Sequence, residues 1–119
     1  MKLQMHEHNL RIRIEESELT RLLAGEAVDN RTVLGPDIQL QQTIRLDEID
    51  TPSLQGSASL WTLSLPAAMV REYAQRLPTK AGLQFELGMP DGPNLGLRFD
   101  VDVRDSVRQR LGSKPKPSP

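Results

Sequence analysis

Residues 1–23, MKLQMHEHNLRIRIEESELTRLL, hold the pattern on which the fold turns. In residues 1–5, Met1, Leu3 and Met5 share one side while Lys2 and Gln4 share the other. In residues 10–14, Leu10, Ile12 and Ile14 oppose Arg11 and Arg13. Both runs have the two-residue period of a half-buried strand. His6-Glu7-His8-Asn9 suits a hairpin connection between them, with Asn9 able to take the left-handed backbone; a single long strand with a bulge is the competing reading. A helix follows. Ser17 or Glu16 can cap its start, and Glu15, Glu16 and Glu18 complement the positive end of its dipole. Leu19, Leu22 and Leu23 then recur at helical spacing, and Gly25 supplies the stop.

The same alphabet continues outward. Residues 26–35 (EAVDNRTVLG) and 37–46 (DIQLQQTIRL) read as a second hairpin about Gly35-Pro36. Residues 47–57 (DEIDTPSLQGS) carry turn residues and little periodicity, so they read as a loop. Residues 59–66 (SLWTLSLP) form a strand with Trp61, Leu63 and Leu65 on one side. Pro66 suits the first position of a helix over residues 67–77, whose buried stripe is Ala67, Val70, Tyr73, Ala74 and Leu77, closed by Pro78. Residues 82–89 and 95–104 alternate again, the latter setting Leu95, Leu97, Phe99, Val101 and Val103 against Arg98, Asp100, Asp102 and Arg104. Nearly every strand alternates, so one sheet face is wet. That predicts an α+β fold with a mostly antiparallel sheet of six or seven strands and two helices. Residues 10–34 and 60–87 both read strand–helix–strand, each followed by another strand after a Gly-Pro turn. The echo suggests two βαββ halves about a pseudo-twofold, with the first strand as an addition.

Composition sets the limits. A chain of 119 residues fits one domain, and at that size about two-thirds of the unfolded surface is buried. Phe, Tyr and Trp total four, so Leu, Ile and Val must build the core. With no cysteine, thiolate nucleophiles, thiolate metal sites and disulfides are excluded. The opening lacks the basic-then-apolar pattern of a secretory signal. No run approaches the roughly 20 apolar residues of a membrane span. A cytoplasmic location without membrane attachment is expected. Residues 104–119 hold Arg104, Arg108, Arg110, Lys114 and Lys116 against Asp105 alone, which leaves −5 on residues 1–103. The domain is therefore placed at residues 1–104, with residues 105–119 a basic, Pro-containing disordered tail.

MKLQMHEHNLRIRIEESELTRLLAGEAV resembles the opening of an uncharacterised family of short bacterial proteins of unknown function. Those begin M-K-[IL], continue through L-R-[IL]-R-[IL], and place S-E before a helix ending A-x-G. LSLPAAMVREYA, residues 63–74, resembles that family's strand–Pro–helix segment, with Tyr73 where the family has Trp. The resemblance covers residues 1–103 as an arrangement and is specific over the first third. FDVDVRDSV departs from the family's carboxyl-terminal pattern, and HEHN stands where a glycine-containing turn is commoner. The resemblance implies the arrangement of elements and assigns no activity to any residue.

Three constellations could carry chemistry. His6 and His8 on an extended strand would project to one side, and with Met thioethers could hold Cu, Ni or Zn; the alternative is a polar turn. Asp100, Asp102 and Asp105 form the second, the first two sharing a strand face that could hold a hard cation, yet Arg98, Arg104, Arg11 and Arg13 would compete for them, giving a solvated ion-pair ladder. For nucleic acid the basic tail is the one support, since Trp61 and Phe85 fall on core faces and the body is acidic. No triad, nucleophile elbow or phosphate-binding glycine loop is present in the sequence. A non-catalytic protein-interaction module is thus the leading expectation, with an unidentified protein partner and edge-paired homodimerisation. Metal handling through His6 and His8 is its alternative.

Overall fold

The computed structural model describes residues 1–103. The expectations for the basic tail and for Arg104 lie outside these residues. The elements are β1 (Lys2–His6), β2 (Asn9–Glu15), α1 (Glu16–Leu23), β3 (Val28–Gly35), β4 (Ile38–Asp47), β5 (Ser53–Gly56), β6 (Leu60–Pro66), α2 (Ala67–Gln75), β7 (Leu83–Leu87) and β8 (Leu95–Asp102).

The broad α+β class stands, but the single sheet of six or seven strands does not. The eight strands form two four-stranded sheets, ordered β1-β2-β8-β7 and β3-β4-β6-β5. Each has a parallel pair at its centre, β2 with β8 and β4 with β6, and antiparallel hairpins on the flanks. Alternation reveals which side of a strand is buried and is silent about its neighbour. Hence the period was legible and the division into two sheets was not. The eighth strand, β5, lies inside the segment read as a loop, because SLQG is short and ends in glycine.

The duplication is fuller than two βαββ halves. Leu3 faces Ile12 in the first sheet as Leu54 faces Leu63 in the second. Val28 faces Ile44 as Leu83 faces Phe99. Glu15 lies beside Asp102 as Pro66 lies beside Asp47. The repeat is therefore ββαββ, with β1 matched by β5 rather than added. Each sheet joins the first hairpin of one half to the last hairpin of the other, so neither half completes a sheet alone.

Inward positions of both sheets meet in one core: Ile12, Ile14, Leu97 and Phe99 from the first, Val28, Ile44, Leu63 and Leu65 from the second. Leu19 and Leu22 of α1, and Val70 and Tyr73 of α2, fill it further. Burying one such side chain contributes about 1.5–3 kcal/mol. The helix ends explain themselves locally. The amide of Glu15 donates to Glu18 Oε1 at 2.8 Å, and the Met1 amino group donates to both Glu18 oxygens at 2.9 and 3.1 Å, tying β1 to α1. Gly25 takes φ of 92° just past α1, as the stop signal requires. Pro66 precedes α2 as its capping residue, one position earlier than the sequence suggested.

Tyr73 has a second role. β7 begins at Leu83, opposite Phe99, so the amide of Val101 lies beyond the reach of β7. The Tyr73 hydroxyl accepts it at 3.0 Å, and its ring meets Phe99 edge-on at 6.3 Å between centroids. Burial pushes the Tyr73 phenol pKa above its usual 10.0.

Candidate functional site: the outer face of the first sheet

The register builds the outer face of the first sheet row by row. His6, Asn9, Gly96 and Glu86 form one row; Gln4, Arg11, Arg98 and Gln84 the next; Lys2, Arg13 and Asp100 a third. A cavity of about 620 Å³ opens over the first two rows. Gly96 puts no side chain into it, and a Cβ there would stand 2.7 Å from Asn9 Oδ1. Gln4, His6, Arg11, Gln84, Glu86 and Arg98 line the cavity around this bare floor.

Asp100 sits at the edge of this hollow and is 5% exposed. Arg11 donates to its Oδ2 through Nε at 3.2 Å and Nη2 at 2.8 Å. Arg98 Nε lies 3.4 Å from the same oxygen, close enough for ion pairing though not aligned as a hydrogen bond. Its Nη2 reaches the carbonyl of Lys80 at 3.5 Å. Arg13 approaches Asp102 at 3.9 Å. The ion-pair ladder expected from sequence is present, but its centre is buried rather than solvated. Among the described residues, the buried atoms Arg13 Nε, Arg98 Nε and Asp100 Oδ1 find no hydrogen-bond partner.

The histidines are arranged differently from the strand-face expectation. His6 ends β1 opposite Asn9, and Glu7-His8 is the two-residue turn between the strands. Glu7, not Asn9, takes the positive φ, at 53°. His6 Nε2 lies 3.6 Å from Glu7 Oε1, with both side chains largely in solvent. The carbonyl of His8 accepts the Gly96 amide at 2.8 Å, pinning the turn to β8. Among the described residues no group of three or more His, Asp or Glu side chains is placed to hold a metal ion. Trp61 and Phe85 pack against the core, as their strand faces required.

The second sheet has a smaller hollow, about 430 Å³, lined by Arg45, Gln55, Gly56, Leu60, Thr62 and Ser64, of which Gln55, Leu60 and Thr62 hold the places of Gln4, Asn9 and Arg11. By register, Thr62 stands where the first sheet has Arg11, Thr43 where it has Arg98, and Arg45 where it has Asp100. Asp47, at the end of β4, is held below the usual carboxylate pKa by a hydrogen bond from Ser64 and then by Arg45. The sequence pointed to Arg11, Arg13, Arg98, Asp100 and Asp102 as an ion-pair ladder, but not to Glu86 or to the hollow. Arg11 and Arg98 meet only through the parallel β2–β8 pair. The shared Leu-Gln of KLQM and SLQG, residues 2–5 and 53–56, was the available signal for the repeat.

A model for a family of unknown function, DUF7009, matches residues 1–111. The chain belongs to that family. DUF7009 membership agrees with the resemblance seen at the amino terminus and assigns no activity. No curated protein matches the chain. Among the described residues, no helix is long and apolar enough to cross a membrane.

Proposed function

We propose that this protein is a non-catalytic interaction module that docks a protein partner on one end of its second sheet. The observation that carries the reading is the exposure of four large aliphatic side chains there: Val33 at 62%, Leu34 at 63%, Ile38 at 54% and Leu60 at 56%. Val33, Leu34 and Ile38 flank the β3–β4 turn, and Leu60 starts β6 beside Gln41 of β4. Exposed apolar groups gathered in one region mark association surfaces, whereas singly scattered ones do not. β3 is also an edge strand, so its backbone offers pairing groups beside the apolar tip.

A photo-crosslinking amino acid at Leu34, compared in living cells with the same group at exposed Glu72 of α2, tests this reading. The expected result is a discrete adduct from position 34 and none from position 72. An adduct of twice the chain mass would make the partner a second copy. Absence of any adduct at position 34, or the same smear from both positions, would contradict the proposal.

A further inference from the structure

The hollow of the first sheet supports an inference separate from the docking surface. Arg11 and Arg98 are direct neighbours across the parallel β2–β8 pair, an arrangement that like charges disfavour. Asp100 offsets one of them. Lys2 and Arg13 stand in the adjoining row, Arg13 near Asp102, and Glu86 stands at the far rim. The two guanidiniums sit side by side on a body whose residues 1–103 carry −5 overall. Arg98 Nε is buried against Asp100 Oδ2 at 3.4 Å, while its guanidinium lines the cavity beside that of Arg11. A guanidinium carries five N–H donors, more than Asp100 and the Lys80 carbonyl take up from Arg11 and Arg98 together. The 620 Å³ volume is of the size that small-molecule sites occupy. Gln4, Gln84 and Asn9 ring it with neutral amides that can donate or accept.

We propose that this hollow binds the oxyanion group, carboxylate or phosphate, of a small polar molecule between Arg11 and Arg98. The planar guanidinium fork matches either oxyanion with paired hydrogen bonds. Asp100 orients Arg11 and at the same time competes with the ligand for both arginines. The second hollow has the same backbone with Thr62 and Thr43 in their places, so it lacks the fork.

Calorimetric titration of the full chain with inorganic phosphate and, separately, citrate, at constant ionic strength, tests this, with a single-stranded DNA oligonucleotide as a third arm. Saturable binding of phosphate or citrate is expected, and whichever binds identifies the oxyanion. Arg98→Gln should weaken it at least about ten-fold, as loss of a charged hydrogen bond implies. Asp100→Asn should tighten it several-fold, because the competing carboxylate is gone. Should Arg98→Gln fail to fold, Asp100→Asn alone decides, since unchanged or weaker binding there overturns the proposal. No saturable binding of either small anion, or binding of the oligonucleotide alone, would overturn it as well.

Discussion

Gln4 stands opposite Arg11 in the first sheet, and Gln55 stands opposite Thr62 at the same point of the second. From there the two faces diverge. Arg11, Arg13, Arg98 and Asp100 on one become Thr62, Ser64, Thr43 and Arg45 on the other. The divergence reaches inward too. Buried Gln42, bonded to Asn30 at 3.0 Å, holds the place that Leu97 has beside Phe85. Inward positions must fill a shared core, which confines them to apolar or mutually satisfied side chains. Outward positions are bound by no such rule, so the duplicated frame can hold a charged hollow on one sheet and a hydroxyl-lined hollow on the other.

The largest effect expected from breaking this correspondence is at the hairpin between β5 and β6. Gly56 has φ of 127°, and an added Cβ would meet the Leu60 carbonyl oxygen at 2.3 Å and Trp61 Cα at 2.7 Å. Gly56→Ala combines backbone strain with a clash that side-chain rotation cannot relieve. We expect a loss of about 3 kcal/mol in urea unfolding, whereas Met5→Ala, at the matching exposed position of β1, should change little.

Next comes the charged face itself. Arg11→Ala removes the hydrogen bonds that hold buried Asp100 and leaves, among the described residues, the Arg98 contact. Arg11 is itself partly exposed, which lowers the cost below that of a fully buried pair. A loss of about 2 kcal/mol is expected. Thr62→Ala, its counterpart, should stay within about 0.5 kcal/mol.

The third test contrasts the helices, since Tyr73 of α2 occupies the place of Leu22 in α1. Tyr73→Phe strands the Val101 amide and should cost about 1–2 kcal/mol. It should also remove a pH dependence. Burial raises the folded phenol pKa above 10.0, while the unfolded chain ionises near 10. Stability is therefore full below about pH 10 and falls as pH rises through the folded pKa. The chain has a single tyrosine, so near-ultraviolet phenolate absorbance reports this group alone, and its midpoint should lie above that of the urea-unfolded chain.

The smallest effect is a gain. Glu7 holds φ of 53°, a region costly for any residue with a Cβ. Glu7→Gly should stabilise the protein by about 0.5–1 kcal/mol, part of the relief being returned as glycine's extra unfolded-state entropy.

Local features were legible in the sequence because their causes are local. The alternation of Leu10, Ile12 and Ile14, the stripe of Leu19 and Leu22, and the stop at Gly25 each depend on neighbours a few residues away. What stayed hidden depends on pairing. Nothing in LRIRI states that β8 lies beside it in parallel, so Arg11 and Arg98 could be read as charges but not as a couple. β5 escaped for a related reason: four residues ending in glycine show one apolar side chain inward, too few to reveal a period. The histidines stood out because both fall within three residues; among the described residues no group of three or more His, Asp or Glu side chains is placed to hold a metal ion.

The central claim is that one backbone plan carries two outer faces of different chemistry, one of them an oxyanion site. The most direct measurement is a map of backbone amide shifts during phosphate and citrate titrations at constant ionic strength. For at least one anion, Gln4, Asn9, Gln84 and Gly96 should move together and saturate, while Gln55, Leu60, Asp29 and Gln41 at the matching points of the second sheet stay still. Equal movement at both sets, or no saturating movement at the first set with either anion, would contradict the account.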